Sequence, residues 1–275
     1  MEPTNSPQAQ GEELLAATVD LAQRKWGDRL VAAYAMGSLA HGGFSAVSDI
    51  DVGFVLGDPL LGTDAESVTK LLASIKATNR PFAGCLSVFW GSMVTLSGAS
   101  PGGRFPPLDR LDLKKYGRLL IGVDVRSKLP SPTHRELVLA GAEFALWRLA
   151  TDEVTEKLKD PQALAQSDAK TLTKLILYPV RFMFTARTGE VGRNEAAVEH
   201  FVTAREGASC ELARLALGWR NAGPERSDGN AISAIAAGVL PLYNEFLLDH
   251  ERRLLEYERP ELAEAFHKWR QRLQA

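Results

Sequence analysis

Two aspartates, Asp49 and Asp51, stand on alternate residues at the head of an apolar run in YAMGSLAHGGFSAVSDIDVGFVL, Tyr34 to Leu56, downstream of a Gly37-Ser38 pair. Along a strand, successive side chains alternate between faces, so both carboxylates project from the same face. Two anions placed side by side repel unless a cation lies between them. Hard divalent ions such as Mg²⁺ take oxygen ligands, typically one or two carboxylates together with substrate phosphates. Gly37 lets the backbone approach a phosphate closely, and the Ser38 hydroxyl and nearby N–H groups can bind its oxygens. The set reads as a clamp that holds a metal and a triphosphate together. The blander alternative is a turn at Ser48-Asp49 with Asp51 exposed on an edge strand.

The elements around the pair are those such a clamp needs. Leu14 to Gly27 has helical spacing and closes on a glycine. Arg29 to Met36 is an apolar strand ending at Gly37, and Asp49 to Leu56 is a second strand ended by Gly57-Asp58-Pro59. Ser38-Leu39-Ala40 reads as the first turn of a short helix between them. Thr63 and Glu66 have the spacing of a capping box, so a helix follows. Cys85 to Trp90 reads as a third strand. The stretch from Ser97 to Arg110 is a long loop rich in proline and glycine, a length uncommon unless functional or mobile. From Thr133 the pattern is helical, and Thr133 with Glu136 repeats the capping-box spacing. Pro179 is placed to kink a long helix that Gly189 stops. The expected organisation is a disordered polar tail over 1–11, an α/β unit over 12–130 and a helical unit over 131–275, with Leu129-Pro130-Ser131-Pro132 at the boundary.

Gly37-Ser38, Gly42-Gly43 and Ser48-Asp49-Ile50-Asp51 resemble the signature of the DNA polymerase β-like nucleotidyltransferase superfamily. More narrowly, they resemble aminoglycoside adenylyltransferases of the streptomycin/spectinomycin type, associated with antibiotic resistance. DRLDLKKYGRLLIGVDVRSKLP is similar to that family's helix and L-x-G turn near the end of the first domain. LTKLILYPVRFMFTARTGEVGRNEAAVEHFV is similar to its helical-domain segment. The resemblance covers roughly residues 30 to 220. It implies an α/β (α+β) nucleotidyltransferase domain with a small mixed sheet, followed by an all-α helical bundle. It implies transfer of AMP from ATP to a hydroxyl of a small acceptor. Asp49 and Asp51 would then bind Mg²⁺, and Gly37 and Ser38 would bind the nucleotide with them. Lys174, seven residues before Arg181 on one helix, is a further candidate for the triphosphate, with an ordinary surface cation the alternative. Glu195 and Glu199, four apart on one helical face, would bind a cationic acceptor; a solvated surface face is the alternative.

One departure stands out. The family carries a third carboxylate on the next strand, and here that slot falls on or near Cys85, with Ser87 the other residue of its face. No Asp or Glu occurs between Ala83 and Pro107. Asp109, Asp112 or an acid of the helical half are the candidates to replace it. Cys85 is a poor Mg²⁺ ligand, because thiolates prefer softer metals. His41 lies in the phosphate-side turn. Trp90 and Phe105 flank the long loop, where they either stack on a ring of the substrate or belong to the core.

Composition narrows the partners. With 45 % hydrophobic and 24 % charged residues and a net charge of −2, the 275-residue chain has no basic field for duplex nucleic acid. Two cysteines make neither a disulfide framework nor a metal pair. No apolar run approaches the roughly 18 residues of a membrane span, and no signal peptide is evident, so the expected compartment is the cytoplasm. Two other functions fit the motifs: a nucleotide-binding homologue that transfers nothing, and an adenylyltransferase acting on protein or RNA. The sequence fixes no oligomeric state.

Overall fold

Ser6 and Pro7 start the first helix, in a computed structural model that describes residues 6–203, 205–224 and 229–275. The Ser6 hydroxyl accepts the Ala9 N–H at 3.2 Å, and proline occupies the first helical position of α1 (Pro7–Trp26). Residues 7–11, expected to lie in the tail over 1–11, belong to α1, and 1–5 lie outside the described residues. Polar composition suggested a tail, but the Ser-Pro start and the burial of Gly11, Leu14 and Leu15 determine the helix.

The chain divides into two compact units, Met1–Pro132 and Thr133–Ala275. In the first, β1 (Leu30–Met36), α2 (Gly37–His41), β2 (Ile50–Leu56), α3 (Asp64–Lys76), β3 (Leu86–Ser92), α4 (Met93–Leu96), α5 (Pro107–Tyr116) and β4 (Arg118–Gly122) follow α1. The strands form one mixed sheet in the order β3-β2-β1-β4. β1 is antiparallel to both neighbours, and β2 runs parallel to β3. Alternation sorts the side chains cleanly. Ile50, Val52, Phe54 and Leu56 pack in the cluster that holds α1 and α3, while Tyr34, Met36 and Val55 pack in the cluster that holds Leu113 of α5. Asp51 is in register with Val55 and so points to the α5 face.

Two polar locks sit in this unit. Asp64, 1 % exposed, accepts from Trp26 Nε1 at 3.1 Å, from both Arg29 Nη atoms at 2.9 Å and from the Leu61 N–H at 2.7 Å. The capping box expected at Thr63 and Glu66 does not form: Thr63 makes no side-chain cap, and Glu66 pairs with Lys70 at 2.6 Å instead. On the other face, the buried Tyr34 hydroxyl accepts the Val125 N–H at 2.7 Å and donates to Asp124 at 3.1 Å. Burial pushes this phenol up to about 12, with the Asp124 carboxylate adding to the rise.

The second unit is helical: α6 (His134–Arg148), α7 (Asp152–Lys159), α8 (Pro161–Ala165), α9 (Ala169–Thr188), α10 (Asn194–Thr203), α11 (Ala208–Ala222), α12 (Gly229–Glu256) and α13 (Pro260–Gln274). The capping box at Thr133 and Glu136 is present in both directions, and Gly189 closes α9 in the left-handed conformation with φ 70°. Among the described helices α12 alone is long and apolar enough to cross a membrane, with mean hydropathy 1.5 over 18 residues. Its apolar residues Leu242, Phe246 and Leu247 are buried and the helix packs on α9, α11 and α13, which is how a core helix behaves.

Pro179 lies inside α9 and, having no N–H, leaves the Leu175 carbonyl without its helical donor. The fully buried Tyr243 hydroxyl of α12 donates to that carbonyl at 2.8 Å. Burial raises the Tyr243 pKa well above the ordinary phenol value. Tyr243→Phe strands a buried carbonyl, and a stability loss of about 1–3 kcal/mol is expected in urea titration.

Candidate active site

β1 ends at Met36, whose Cα partner across the ladder is Asp51. The next residue, Gly37, has φ +56° and turns the chain at once into α2. A Cβ on Gly37 would collide with the Asp51 carboxylate. The glycine thus makes room for the carboxylate as well as the turn. Ser38, half-buried, is the second residue of α2. The short helix expected after the Gly-Ser pair is therefore present, with the Asp51 carboxylate against its first residue.

Asp49 is held differently. The ladder begins at Ile50, so the alternation that aims Asp51 does not itself fix Asp49. A turn just upstream does. The Ser48 N–H donates to the Ser45 carbonyl at 3.0 Å, and the Ser45 N–H to the Ser48 hydroxyl at 3.0 Å, with both serines buried. This turn delivers Asp49 half-buried beside the strand's first residue. Two carboxylates with no thiol between them are the donor set of a hard cation whose other ligands are phosphate oxygens. Among the described residues no group of three or more His, Cys, Asp or Glu side chains is arranged to hold a metal by itself.

The position beside Asp51 in the parallel ladder is Ser87. Cys85 lies one step earlier, at the end of a short 3₁₀ turn (Ala83–Cys85). A carboxylate reaches this turn from another element. Asp112, on α5, accepts the Gly37 N–H on Oδ2 at 2.9 Å, and its Oδ1 stands 3.6 Å from His41 Nε2. The Gly37 amide, expected to face a phosphate, is committed to Asp112. Spacing gave no sign of this contact, because Gly37 and Asp112 are 75 residues apart.

The aromatic residues of the long loop belong to the core. The Phe105 ring lies 5.7 Å from that of Phe89, and Arg104 caps the Phe89 ring at 4.8 Å. Arg104 also exchanges backbone hydrogen bonds with Trp90, which stitches the loop to β3. Trp90 packs half-buried on the α1 and α3 cluster.

The other expected site residues lie in the helical unit. Lys174 is half-buried on α9; Glu195 and Glu199 are exposed one turn apart on α10. Neither glutamate lines the 430 Å³ cavity of this unit, which is bounded by Phe201, Arg205, Ser209, Cys210 and Glu245 among others. There Arg205 stacks over the Phe201 ring at 4.5 Å and pairs with Glu245, and burial pushes the Cys210 thiol up.

No known family model matches the chain, and no curated protein matches it. Seven solved chains do. One is the spectinomycin adenyltransferase AAD(9) from Enterococcus faecialis, solved with ATP and spectinomycin. It is 16 % identical, superposes with a TM-score of 0.58, and the match covers 86 % of this chain and 98 % of that one. At that identity the likeness is one of fold: a small mixed sheet followed by a helical region, in the order found in a nucleotidyltransferase.

Proposed function

We propose that the chain is an Mg²⁺-dependent nucleotidyltransferase that moves AMP from ATP to a hydroxyl of a small, cationic acceptor of the aminoglycoside class, in the cytoplasm. The observation that carries this reading is the interlock of Gly37 and Asp51. The turn that would receive phosphate and the strand that would hold metal are built against each other, with no room for one extra carbon between them. The fold likeness to an adenyltransferase supports the same reading.

On this reading Asp49 and Asp51 would hold Mg²⁺, which would supply charge neutralisation for the triphosphate and the leaving pyrophosphate. Ser38 binds phosphate oxygens at the start of α2, and Lys174 adds a cation for them. Glu195 and Glu199 attract the cationic acceptor. The acceptor oxygen bonds to the α-phosphorus as the bond to the pyrophosphate oxygen breaks, and the hydroxyl proton leaves to a base. Ser87 cannot be that base in the manner of a carboxylate. This favours one second reading, a homologue that binds ATP and transfers nothing.

Pyrophosphate release from ATP and Mg²⁺, measured across streptomycin, spectinomycin and other aminoglycosides, separates the two. Release is expected with one acceptor in the wild-type chain and not in Asp51→Asn. ATP binding without release for any acceptor rejects the small-molecule transferase. Labelling of lysate macromolecules from labelled ATP would then point to a protein or RNA acceptor.

A further inference from the structure

We propose that Asp112, on α5, is the positioning residue of the phosphate-facing turn. The inference rests on the reading of Gly37–His41 as the element that receives the nucleotide. A helix of five residues has too few internal hydrogen bonds to hold itself in place. α2 is held from outside at both ends. At its start, Asp112 Oδ2 accepts the Gly37 N–H at 2.9 Å. At its end, the His41 imidazole stands 3.6 Å from Asp112 Oδ1 and packs edge-on against Tyr116, ring centroids 5.5 Å apart. Asp112 and Tyr116 are one turn apart on α5, so a single helical face grips the whole of α2.

The grip also orders the site. The Asp112 side chain is 16 % exposed, and a hydrogen bond from a backbone amide to a carboxylate is among the stronger ones. It fixes the amide of Gly37 while Asp51 fills the space where that residue's Cβ would be. Gly37 is thereby clamped on two sides, and Ser38 is carried with it. Asp112 thus acts through the turn: one oxygen is bonded to a backbone amide and the other faces an imidazole.

The test uses the full chain and two variants, Asp112→Ala and Asp112→Asn, in hydrogen exchange and in steady-state kinetics with Mg-ATP. Asp112→Ala is expected to raise exchange of the amides over 37–41 about tenfold. It should raise KM for ATP by a similar factor with kcat changed far less. Asn keeps an acceptor for the Gly37 N–H, so Asp112→Asn should recover most of both losses. Wild-type exchange over 37–41 in Asp112→Ala overturns the proposal. So does an Asp112→Asn protein as defective in KM as the alanine variant, since the charge and not the hydrogen bond would then matter. The exchange readout needs no turnover. A wild-type chain without transferase activity therefore sinks the functional reading, while exchange still decides whether Asp112 holds the turn.

Discussion

Gly37→Ala is expected to be as silent in the pyrophosphate assay as Asp51→Asn. Two costs coincide at this residue. An L-residue at φ +56° pays about 1–2 kcal/mol for the left-handed conformation. The added methyl also meets an oxygen of the Asp51 carboxylate, the free end of a side chain that has to rotate away to admit it. Either α2 swings away from the end of β1 or Asp51 leaves its rotamer. Both outcomes separate the turn from the carboxylate, and geometric errors of about 1 Å at a reacting centre cost on the order of a hundredfold in rate. The fold should survive, since the strands carry the core and the unit's stability falls only by the strain. A Gly37→Ala protein that releases pyrophosphate at the wild-type rate would show that the interlock has no part in the chemistry. A melting temperature lowered by more than about 10 °C would show instead that the turn supports the core.

The residues that bring the site together differ in how visible they are in a sequence. Asp51, Gly37 and Ser38 are legible because strand alternation and glycine freedom are local rules, and the β1–β2 pairing brings them to one corner. The Thr133 capping box and the Gly189 stop are legible for the same reason. Thr63 and Glu66 carry the same spacing and form no box. Here the tertiary partners Trp26 and Arg29 claim Asp64, and their separations of 38 and 35 residues leave no local trace. Asp112 is one of several acids the sequence offers, and its contact with Gly37 is hidden likewise: α5 comes next to α2 because its apolar residue Leu113 seeks the sheet face that holds Tyr34 and Met36. Phe105 was ambiguous for a related reason. A proline-rich loop looks open in sequence, yet Gly53 leaves a space on the sheet that the Phe105 ring fills.

Asp64→Ala is expected to destabilise the N-terminal unit by about 3 kcal/mol, the lower end for removing one partner of a buried ion pair. The lower end applies because the Arg29 side chain is 33 % exposed and can rehydrate, whereas the buried Trp26 N–H loses its acceptor outright. Acid should find the same weakness. The Arg29 guanidinium holds the Asp64 carboxyl below its ordinary 3.8, with the Leu61 and Trp26 N–H groups adding to the effect against the cost of burial. A carboxylate with a depressed folded-state pKa contributes stability that is full above about pH 4 and is lost as pH falls below it. The helical unit has its own and earlier loss. Burial among Phe246 and Phe266 holds the His250 imidazole down at about 4, with Asp249 opposing the shift and Arg253 adding to it. An imidazole depressed from 6.5 costs stability progressively between pH 6.5 and 4, because the unfolded chain binds the proton first. Hydrogen exchange resolved by segment across pH 7 to 3 should therefore show α12 and α13 opening before α1 and α3. In Asp64→Ala the order should reverse at neutral pH, with α1 and α3 the weaker pair. Wild-type protection of α1 and α3 in that variant would mean that the Asp64 lock contributes nothing beyond the apolar core around it.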